Sequence, residues 1–181
     1  DGNIEVPTLM APTSVNYGPQ GTDFGYFGGG VQPNTAHSSQ IDRIDYTNDT
    51  AQALPKGKLS AARSYLAATG NANFGYFAGG DPGPKSTVDR INYANDTITA
   101  SVTGPLTVTR YGLTGTGNDS FGYFAGSVSP VRSTIDRVDY SSDTNTASPK
   151  GLLPAPVYGA AGTGNQDFGY FGGGFHPSRV S

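Results

Sequence analysis

The chain has 181 residues, the length of one ordinary domain or one short repeat array. Its 27 glycines, 13 prolines and low charged fraction of 14% argue against a helical bundle, while 9 Phe and 11 Tyr supply the core that a charged disordered tail lacks. The formal net charge of −3 predicts no nucleic-acid partner. The absence of Cys excludes disulfides and thiolate metal sites. No apolar run approaches the roughly 18 residues of a membrane-spanning helix, so we expect no membrane insertion.

An internal repeat is the strongest pattern in the sequence. The tetrapeptide Phe-Gly-Tyr-Phe begins at residues 24, 74, 121 and 168, in steps of 50, 47 and 47. A second block, of the form Ile/Val-Asp-Arg-Ile/Val-Asp/Asn-Tyr, begins at residues 41, 88 and 135, and a Gly-Asn pair begins at 70, 117 and 164. Three markers with a common period of 47 predict one tandem array. It consists of a partial unit at 1–16, units at about 17–64, 65–111 and 112–158, and a partial unit at 159–181.

Each unit divides into four strand-sized segments. In the third complete unit we place them at about 111–116, 121–125, 134–140 and 144–148, separated by the Gly, Asn and Pro residues that short antiparallel strands require. The Ala- and Leu-rich stretch 58–69 could pass for a helix, but its repeat equivalents contain Thr, Val, Gly and Pro, so we predict no helix there. Four short strands in 47 residues are typical of a β-propeller blade. We expect Phe24 and Tyr26 to face one neighbouring blade and Phe27 the other.

At these residues the sequence resembles the kelch family. Its aromatic strands end in Gly-rich segments at residues 28–30, 79–80 and 172–174, as kelch strands do. The residues that match the kelch Tyr and the later Arg are Tyr46, Tyr93, Tyr140, Arg63 and Arg110. The chain departs from the kelch pattern where Ser127 and Val157 replace Gly and Arg, and it lacks the kelch Trp. The resemblance implies an all-β, kelch-like β-propeller built from about four 47-residue, four-stranded repeats.

The near-identical tandem units are also similar to long kelch-like arrays in tail-fibre and other structural proteins of aquatic bacteriophages. This resemblance implies an extracellular or virion protein. We therefore expect a non-enzymatic structural or adhesive protein of an extracellular appendage or phage fibre, with multivalent receptor binding through variable loops. The alternatives are a carbohydrate- or protein-binding propeller module that recognises one ligand and, ranked last, a propeller hydrolase or oxidase.

The ends of the chain leave the arrangement of the units open. There are four Phe-Gly-Tyr-Phe segments but only three Asp-Arg segments, and residues 4–9 resemble a fourth strand. A four-bladed ring could close imperfectly, the chain could be a piece of a longer array, or a partner chain could supply the missing strand. We favour an array or assembly, because an open sheet edge invites pairing, and so expect self-association or further repeats.

The repeated Asp-Arg pairs have two interpretations. They could form a ring of charges for a ligand or cation, or they could be strand-edge ion pairs and bonds to the neighbouring blade. We favour the structural interpretation, because a function rarely needs the same pair in every repeat, and Arg can bridge carboxylates between blades. The residues concerned are Asp42, Arg43, Asp89, Arg90, Asp136 and Arg137.

The remaining candidates lie in loops. Variable loops on a repeated scaffold are where recognition usually occurs, so the ligand-binding candidates are Tyr65, Tyr111, Arg63 and Arg110, and a cell-surface glycan is a possible partner. The sequons at Asn48, Asn95 and Asn118 read best as turn formers, but would be glycan carriers in a eukaryotic secreted protein. The sequence contains no asymmetric catalytic cluster, EF-hand or P-loop, so we expect no enzyme, cofactor or metal site.

Overall fold

The computed structural model describes residues 23–33 and 36–176, and this part of the chain is all-β. Its strands form antiparallel sheets in which consecutive strands are neighbours. The first sheet contains β1 (Phe24–Gly28), β2 (Gln40–Asp45) and β3 (Leu54–Lys58). The second contains β4 (Ala67–Gly70), β5 (Phe74–Ala78), β6 (Val88–Asn92) and β7 (Ser101–Val102). The third contains β8 (Thr114–Gly117), β9 (Phe121–Ala125), β10 (Thr134–Asp139) and β11 (Ser148–Leu152).

A fourth, smaller sheet consists of β12 (Ala161–Gly164) and β13 (Gly169–Gly172). The four sheets fall within the units at 17–64, 65–111, 112–158 and 159–181, and the partial unit at 1–16 lies outside the described residues. The stretch 58–69 contains no helix, as predicted: it leaves β3 and enters β4. No helix in the described ranges is long and apolar enough to cross a membrane.

The strand positions match the expected pattern best in the middle of each sheet. In the third sheet β9 has its expected bounds and β10 ends one residue early, at Asp139. The fourth strand, expected at 144–148, begins only at Ser148. The delay arises because a 3-10 turn, Tyr140–Ser142, follows β10 and is capped by the Asp139 side chain, which accepts a hydrogen bond from the Ser141 amide. Asp residues that bond a backbone N–H two positions on favour such turns over strand pairing.

The core lies between consecutive sheets. Apolar side chains from the first and second sheets form one cluster, which includes Ile41, Leu59, Phe77, Ile91 and Ala100. Side chains from the second and third sheets form another, which includes Tyr76, Val88, Leu113, Phe124 and Val138. The second sheet is thus covered on both faces, and burial of each large apolar side chain contributes roughly 1.5–3 kcal/mol.

The strand that carries Phe-Gly-Tyr-Phe packs against both the preceding and the next sheet. Tyr26 stacks on Tyr93 of the next sheet, with ring centroids 4.8 Å apart. The Phe that follows the Tyr points the other way: Phe77 packs so closely on Gly28 of the preceding sheet that a Cβ at Gly28 would lie 2.7 Å from its ring. Phe27 is the equivalent of Phe77 in the first sheet and is 62% exposed, so the described residues do not test the expectation that it faces a neighbouring blade. The described residues include no sheet before the first, so Phe27 has no neighbour of the kind that covers Phe77.

Glycines also mark the close approach of consecutive sheets. A Cβ at Gly57 would overlap the carbonyl oxygen of Ile98 in the next sheet, and a Cβ at Gly104 would overlap that of Asn145. Gly151 is the equivalent residue in the third sheet, and a Cβ there would meet open space. The same sequence position is therefore constrained only where the turn after the third strand of the next sheet packs against it.

We expect Gly104→Ala to lower the free energy of unfolding by about 1–3 kcal/mol, because the added methyl group pushes against backbone that cannot move aside cheaply. Gly151→Ala is the matched control and should change it by about 0.5 kcal/mol or less. Urea unfolding followed by circular dichroism measures both. Equal effects of the two substitutions would contradict the docking of the second sheet on the third.

Candidate functional site

Arg63 lies in the connection between β3 and β4 and reaches into the second sheet. Its side chain is 1% exposed, and its guanidinium donates to Asp89 Oδ2 at 2.7 Å and to the carbonyl oxygens of Gly79 and Thr87 at 2.7 and 3.2 Å. Asp89 is fully buried and also accepts a hydrogen bond of 2.9 Å from the Ser60 amide. Burial lowers the pKa of Arg63 below its ordinary value, and the adjacent Asp89 opposes that change. We call this arrangement the first Arg–Asp site.

The same arrangement recurs 47 residues later, as the second Arg–Asp site. Arg110 is ion-paired with Asp136, both fully buried, and donates to the Thr134 carbonyl oxygen at 3.1 Å. Thr107 takes the place of Ser60: its amide donates to Asp136 at 2.9 Å, and its hydroxyl donates to the same carboxylate at 2.7 Å. A charged pair buried this deeply needs all of these partners.

In the connection before the fourth sheet, the position equivalent to Arg63 and Arg110 is apolar. Val157 replaces the arginine, but its backbone makes the repeat's usual bonds: its N–H donates to Arg132 and its carbonyl oxygen accepts from Ser127. Pro154 stands where Ser60 and Thr107 stand in the earlier units, and a proline has no N–H to offer. The connection before the fourth sheet can therefore hold no carboxylate in the manner of the first two.

Neighbouring Asp and Arg residues on one strand serve different partners, because successive strand residues point to opposite faces. Asp89 and Asp136 bind the arginine of the preceding connection. Arg90 instead crosses to Asp143 of the next sheet at 2.7 Å, and Arg43 to Asp96 at 2.9 Å. The sequence suggested either ion pairs at a strand edge or bonds to a neighbouring blade. The contacts of Arg43 and Arg90 are bonds to a neighbouring sheet.

The aspartate of the first sheet, Asp42, and the arginine of the third sheet, Arg137, lack such ion-pair partners within the described residues. Asp42 forms no ion pair there, and the connection before β1, where the repeat equivalent of Arg63 falls, lies outside the described ranges. Arg137 lies 4.1 Å from the centre of the Phe121 ring, but no described carboxylate pairs with it, and its buried Nε has no hydrogen-bond partner. Arg43 makes a similar ring contact, 4.0 Å from the centre of Phe24, in addition to its ion pair.

Asp96 and Asp143 are structural residues that sequence reasoning missed. They belong to the segments Asn95-Asp96-Thr97 and Ser142-Asp143-Thr144, and the first of these is a sequon that we interpreted as a turn former. Each carboxylate accepts a tyrosine hydroxyl of the preceding sheet as well as an arginine: Tyr26 at 3.0 Å and Tyr76 at 2.8 Å. The spacing of 47 between the two aspartates was the signal that could have identified them.

The tyrosines between the sheets are held in their neutral form. Burial, followed by the hydrogen bond to Asp96, raises the pKa of Tyr26 to about 12. Burial likewise raises the pKa of Tyr93 and Tyr140 above the ordinary value, and burial with the bond to Asp143 does so for Tyr76. Ionisation of these phenols would place negative charge against apolar surface and existing carboxylates.

Of the four ligand-binding candidates predicted from the sequence, Tyr65 and Tyr111 are accessible to solvent. Their rings lie 6.3 Å apart at 54°, and Tyr65 is 62% exposed. Tyr65 has a φ of +53°, whereas glycines hold the equivalent positions in the next two units, Gly112 and Gly159, with φ of +66° and +64°. A bulky residue in that conformation is strained, which is a common feature of functional positions. Arg63 and Arg110 are buried in the Arg–Asp sites, out of reach of a ligand.

The three sequons differ in accessibility. Asn48 and Asn95 lie in exposed turns. Asn118 is half-buried: its amide nitrogen donates to the Gln166 carbonyl at 3.1 Å, and its side-chain oxygen accepts from the Ser120 amide at 3.0 Å. Asn118 thus helps to join the third and fourth sheets.

Three surface clefts in the described part of the chain are too small for a typical small-molecule ligand. They measure about 110, 130 and 120 Å³, below the roughly 300–1,000 Å³ that small-molecule sites occupy. No group of three or more metal-ligating side chains occurs within residues 23–33 and 36–176. No family model matches the chain, and no curated protein matches it significantly.

We expect Arg63→Met to lower the free energy of unfolding by about 3–5 kcal/mol, because it leaves Asp89 buried without its cation. The double variant R63M/D89V should recover most of that loss, since it also removes the buried Asp89 carboxylate that R63M leaves without a cation. Urea unfolding of the wild type, the two single variants and the double variant measures the coupling. Additive losses in the double variant would show that the pair is not the reason for the effect.

We also expect alkaline destabilisation. A phenol whose pKa is higher in the folded protein contributes stability that is complete below pH 10 and is lost as pH rises through the folded pKa, about 12 for Tyr26. The midpoint of urea unfolding should therefore fall as pH rises above 10. Tyr26→Phe keeps the ring stacked on Tyr93, has no group to ionise and should show a smaller fall. An identical pH dependence in the variant would contradict the assignment.

Proposed function

We propose that the chain is a non-enzymatic, kelch-like propeller repeat with a structural or adhesive role in an extracellular appendage or phage fibre. One observation carries the proposal: the same set of contacts, a buried Arg–Asp site, a tyrosine stack and an arginine–aspartate bridge, joins consecutive sheets twice, 47 residues apart. Such a repeat makes a stiff scaffold that presents similar loops at fixed intervals. Weak sites at fixed intervals gain avidity without any single strong site.

A second candidate is a module that binds one carbohydrate or protein ligand. The strained and exposed Tyr65, beside Tyr111, favours it. Tyrosine rings can stack on a flat ligand and donate a hydrogen bond from their hydroxyl. An enzyme of the propeller hydrolase class ranks last. Assays on glycan and ester substrates, repeated on a variant of a single aspartate, would establish it if turnover disappeared with that residue.

Low-resolution imaging of the purified protein tests the architecture. We expect compact particles, or fibres built of them, in which the sheets pack around a common axis. Extended strings of separate sheets would contradict the propeller. The Gly104→Ala variant provides a control, because a weakened interface between sheets should make the particles more heterogeneous.

A glycan array distinguishes the two binding candidates. Tyr65→Gly installs the residue that the repeat has at Gly112 and Gly159, so we expect it to keep the fold and to raise stability by up to about 1 kcal/mol. An adhesive scaffold should bind only at high glycan density and should be little affected by the substitution. A single-ligand module should bind one glycan class even at low density and lose that binding in Tyr65→Gly. If the protein binds no glycan at any density, glycan binding is excluded for both candidates.

A further inference from the structure

Four departures from the repeat lie together at the junction of the first and second sheets. They are His37, Ser64, Tyr65 and Asp81, and the residues 47 positions later are Pro84, Tyr111, Gly112 and Val128. His37 Nδ1 lies 3.0 Å from the Ser64 hydroxyl oxygen, and His37 Nε2 lies 3.6 Å from Asp81 Oδ2. Ser64 and Asp81 also pair through their backbones, with N–H to carbonyl distances of 2.9 Å in both directions. Because the four residues contact one another or are adjacent in the chain, we interpret them as one coordinated change.

The coordinated change removes a steric block beside Tyr65. A Cβ at Gly112, the equivalent residue of the next unit, would lie 2.3 Å from Cγ2 of Val128. Asp81 takes the place of that valine in the earlier unit and has no branch at its Cβ. Its carboxylate accepts a hydrogen bond of 2.7 Å from the Gly83 amide and lies toward the histidine. A tyrosine is therefore accommodated where the later units have glycine, although its φ of +53° is strained.

The backbone places Tyr65 beside Tyr111. The Tyr65 carbonyl oxygen accepts the Gly112 amide at 2.8 Å, which fixes the connection before the second sheet to the connection before the third. The centroids of the two tyrosine rings are 6.3 Å apart, and the ring planes are inclined at 54°. Tyr65 is 62% exposed, so its ring has room to turn toward Tyr111. The next unit forms no such pair, because Gly112 offers no ring to Tyr158.

The stacked tyrosine pairs between the sheets have a different geometry. The rings of Tyr26 and Tyr93 are inclined at only 12°, and those of Tyr76 and Tyr140 at 11°, so each pair lies face to face. The hydroxyls of Tyr26 and Tyr76 are engaged by carboxylates. Burial raises the pKa of all four phenols, which opposes the loss of a hydroxyl proton. These four rings are therefore poorly placed for chemistry that removes that proton and joins ring edges.

We propose that Tyr65 and Tyr111 form a site of oxidative cross-linking, at which hydrogen peroxide acting through a peroxidase joins the two rings covalently. The link ties the connection before the second sheet to the connection before the third. The chain has no Cys, so a disulfide cannot supply such a link. The inference adds a modification site to the proposed structural role, and it rests on that role only for its oxidising, extracellular setting.

The reaction balances without any group from the rest of the protein. Each phenol gives up one electron and its hydroxyl proton and becomes a phenoxyl radical. A carbon ortho to each oxygen then forms the new C–C bond between the two rings. Each of these carbons loses its hydrogen as a proton, and each oxygen regains one. The protein thus loses two electrons and two protons, which break the O–O bond of one peroxide molecule and reduce it to two molecules of water.

Treatment of the full chain, at micromolar concentration, with hydrogen peroxide and a haem peroxidase tests the proposal. We expect dityrosine fluorescence in a product of monomer size, and mass spectrometry of its digest should find Tyr65 joined to Tyr111. Groups linked through one chain have an effective concentration on the order of millimolar, so coupling within the chain should exceed coupling between chains. The midpoint of urea unfolding should rise in the cross-linked product, because the new bond closes a long loop and restricts the unfolded chain.

Conservative variants identify the reacting pair. Tyr65→Phe and Tyr111→Phe should each lower the dityrosine fluorescence of the monomer by about tenfold or more, since only coupling between more distant phenols remains. Tyr158→Phe is the matched control: Tyr158 has the repeat position of Tyr111, but the ring beside it, at 5.2 Å, is that of Phe175. It should leave the fluorescence unchanged. Asp81→Val supplies the valine of the later unit and should lower the yield, because it crowds the Tyr65 ring.

Three results would overturn the proposal: no dityrosine in the treated wild type, dityrosine only in products larger than the monomer, or an undiminished yield in Tyr65→Phe. Each of them is separate from the imaging test of the architecture. Particles with sheets around a common axis are expected whether or not the two rings are joined, so failure of the cross-link leaves the proposed scaffold intact.

Discussion

The Arg–Asp site between consecutive sheets is the constraint on which the rest of the architecture depends. Arg63 and Arg110 each leave one connection and enter the next sheet, where the guanidinium bonds both to an aspartate and to backbone carbonyl oxygens. A buried ion pair of this kind contributes little net stability compared with apolar packing, but its removal on one side is costly. Its effect is therefore mainly on geometry, because the guanidinium reaches its aspartate and the backbone carbonyl oxygens together only when the connection and the sheet are placed in this way.

Apolar packing supplies the stability within that geometry. The aromatic strand has Tyr on one face and Phe on the other, so the second sheet is packed on both sides, through Tyr76 and Phe77. The interface between the first and second sheets and that between the second and third therefore each combine a stack of tyrosine rings, a phenol bonded to a carboxylate and an arginine bonded to the same carboxylate. A single sheet has no means to cover these groups, so we expect the repeat to be stable only as an array.

Sequence periodicity predicted the units, the aromatic strands and the absence of a helix at 58–69, because all three depend on local pattern and on repetition. It did not predict the partners of the charged residues. Asp89 and Arg90 are adjacent in the chain and look like a pair, but strand alternation sends them to different sheets. The late start of β11 was missed because side-chain capping of the turn after Asp139 competes with strand pairing. The sequence alone also did not show that Arg63 and Arg110 are buried.

Departures from the repeat are more informative about function than the repeat itself. The position of Gly57 and Gly104 must be glycine because the turn after the third strand of the next sheet packs against it, and at Gly151 the requirement disappears. Tyr65 keeps a strained backbone conformation for which the next two units use glycine. Val157 and Pro154 remove both groups that hold an aspartate in the first two Arg–Asp sites, and they do so at the connection that leads to the fourth sheet. The fourth sheet is therefore placed on the third without the buried ion pair that constrains the geometry of the earlier units.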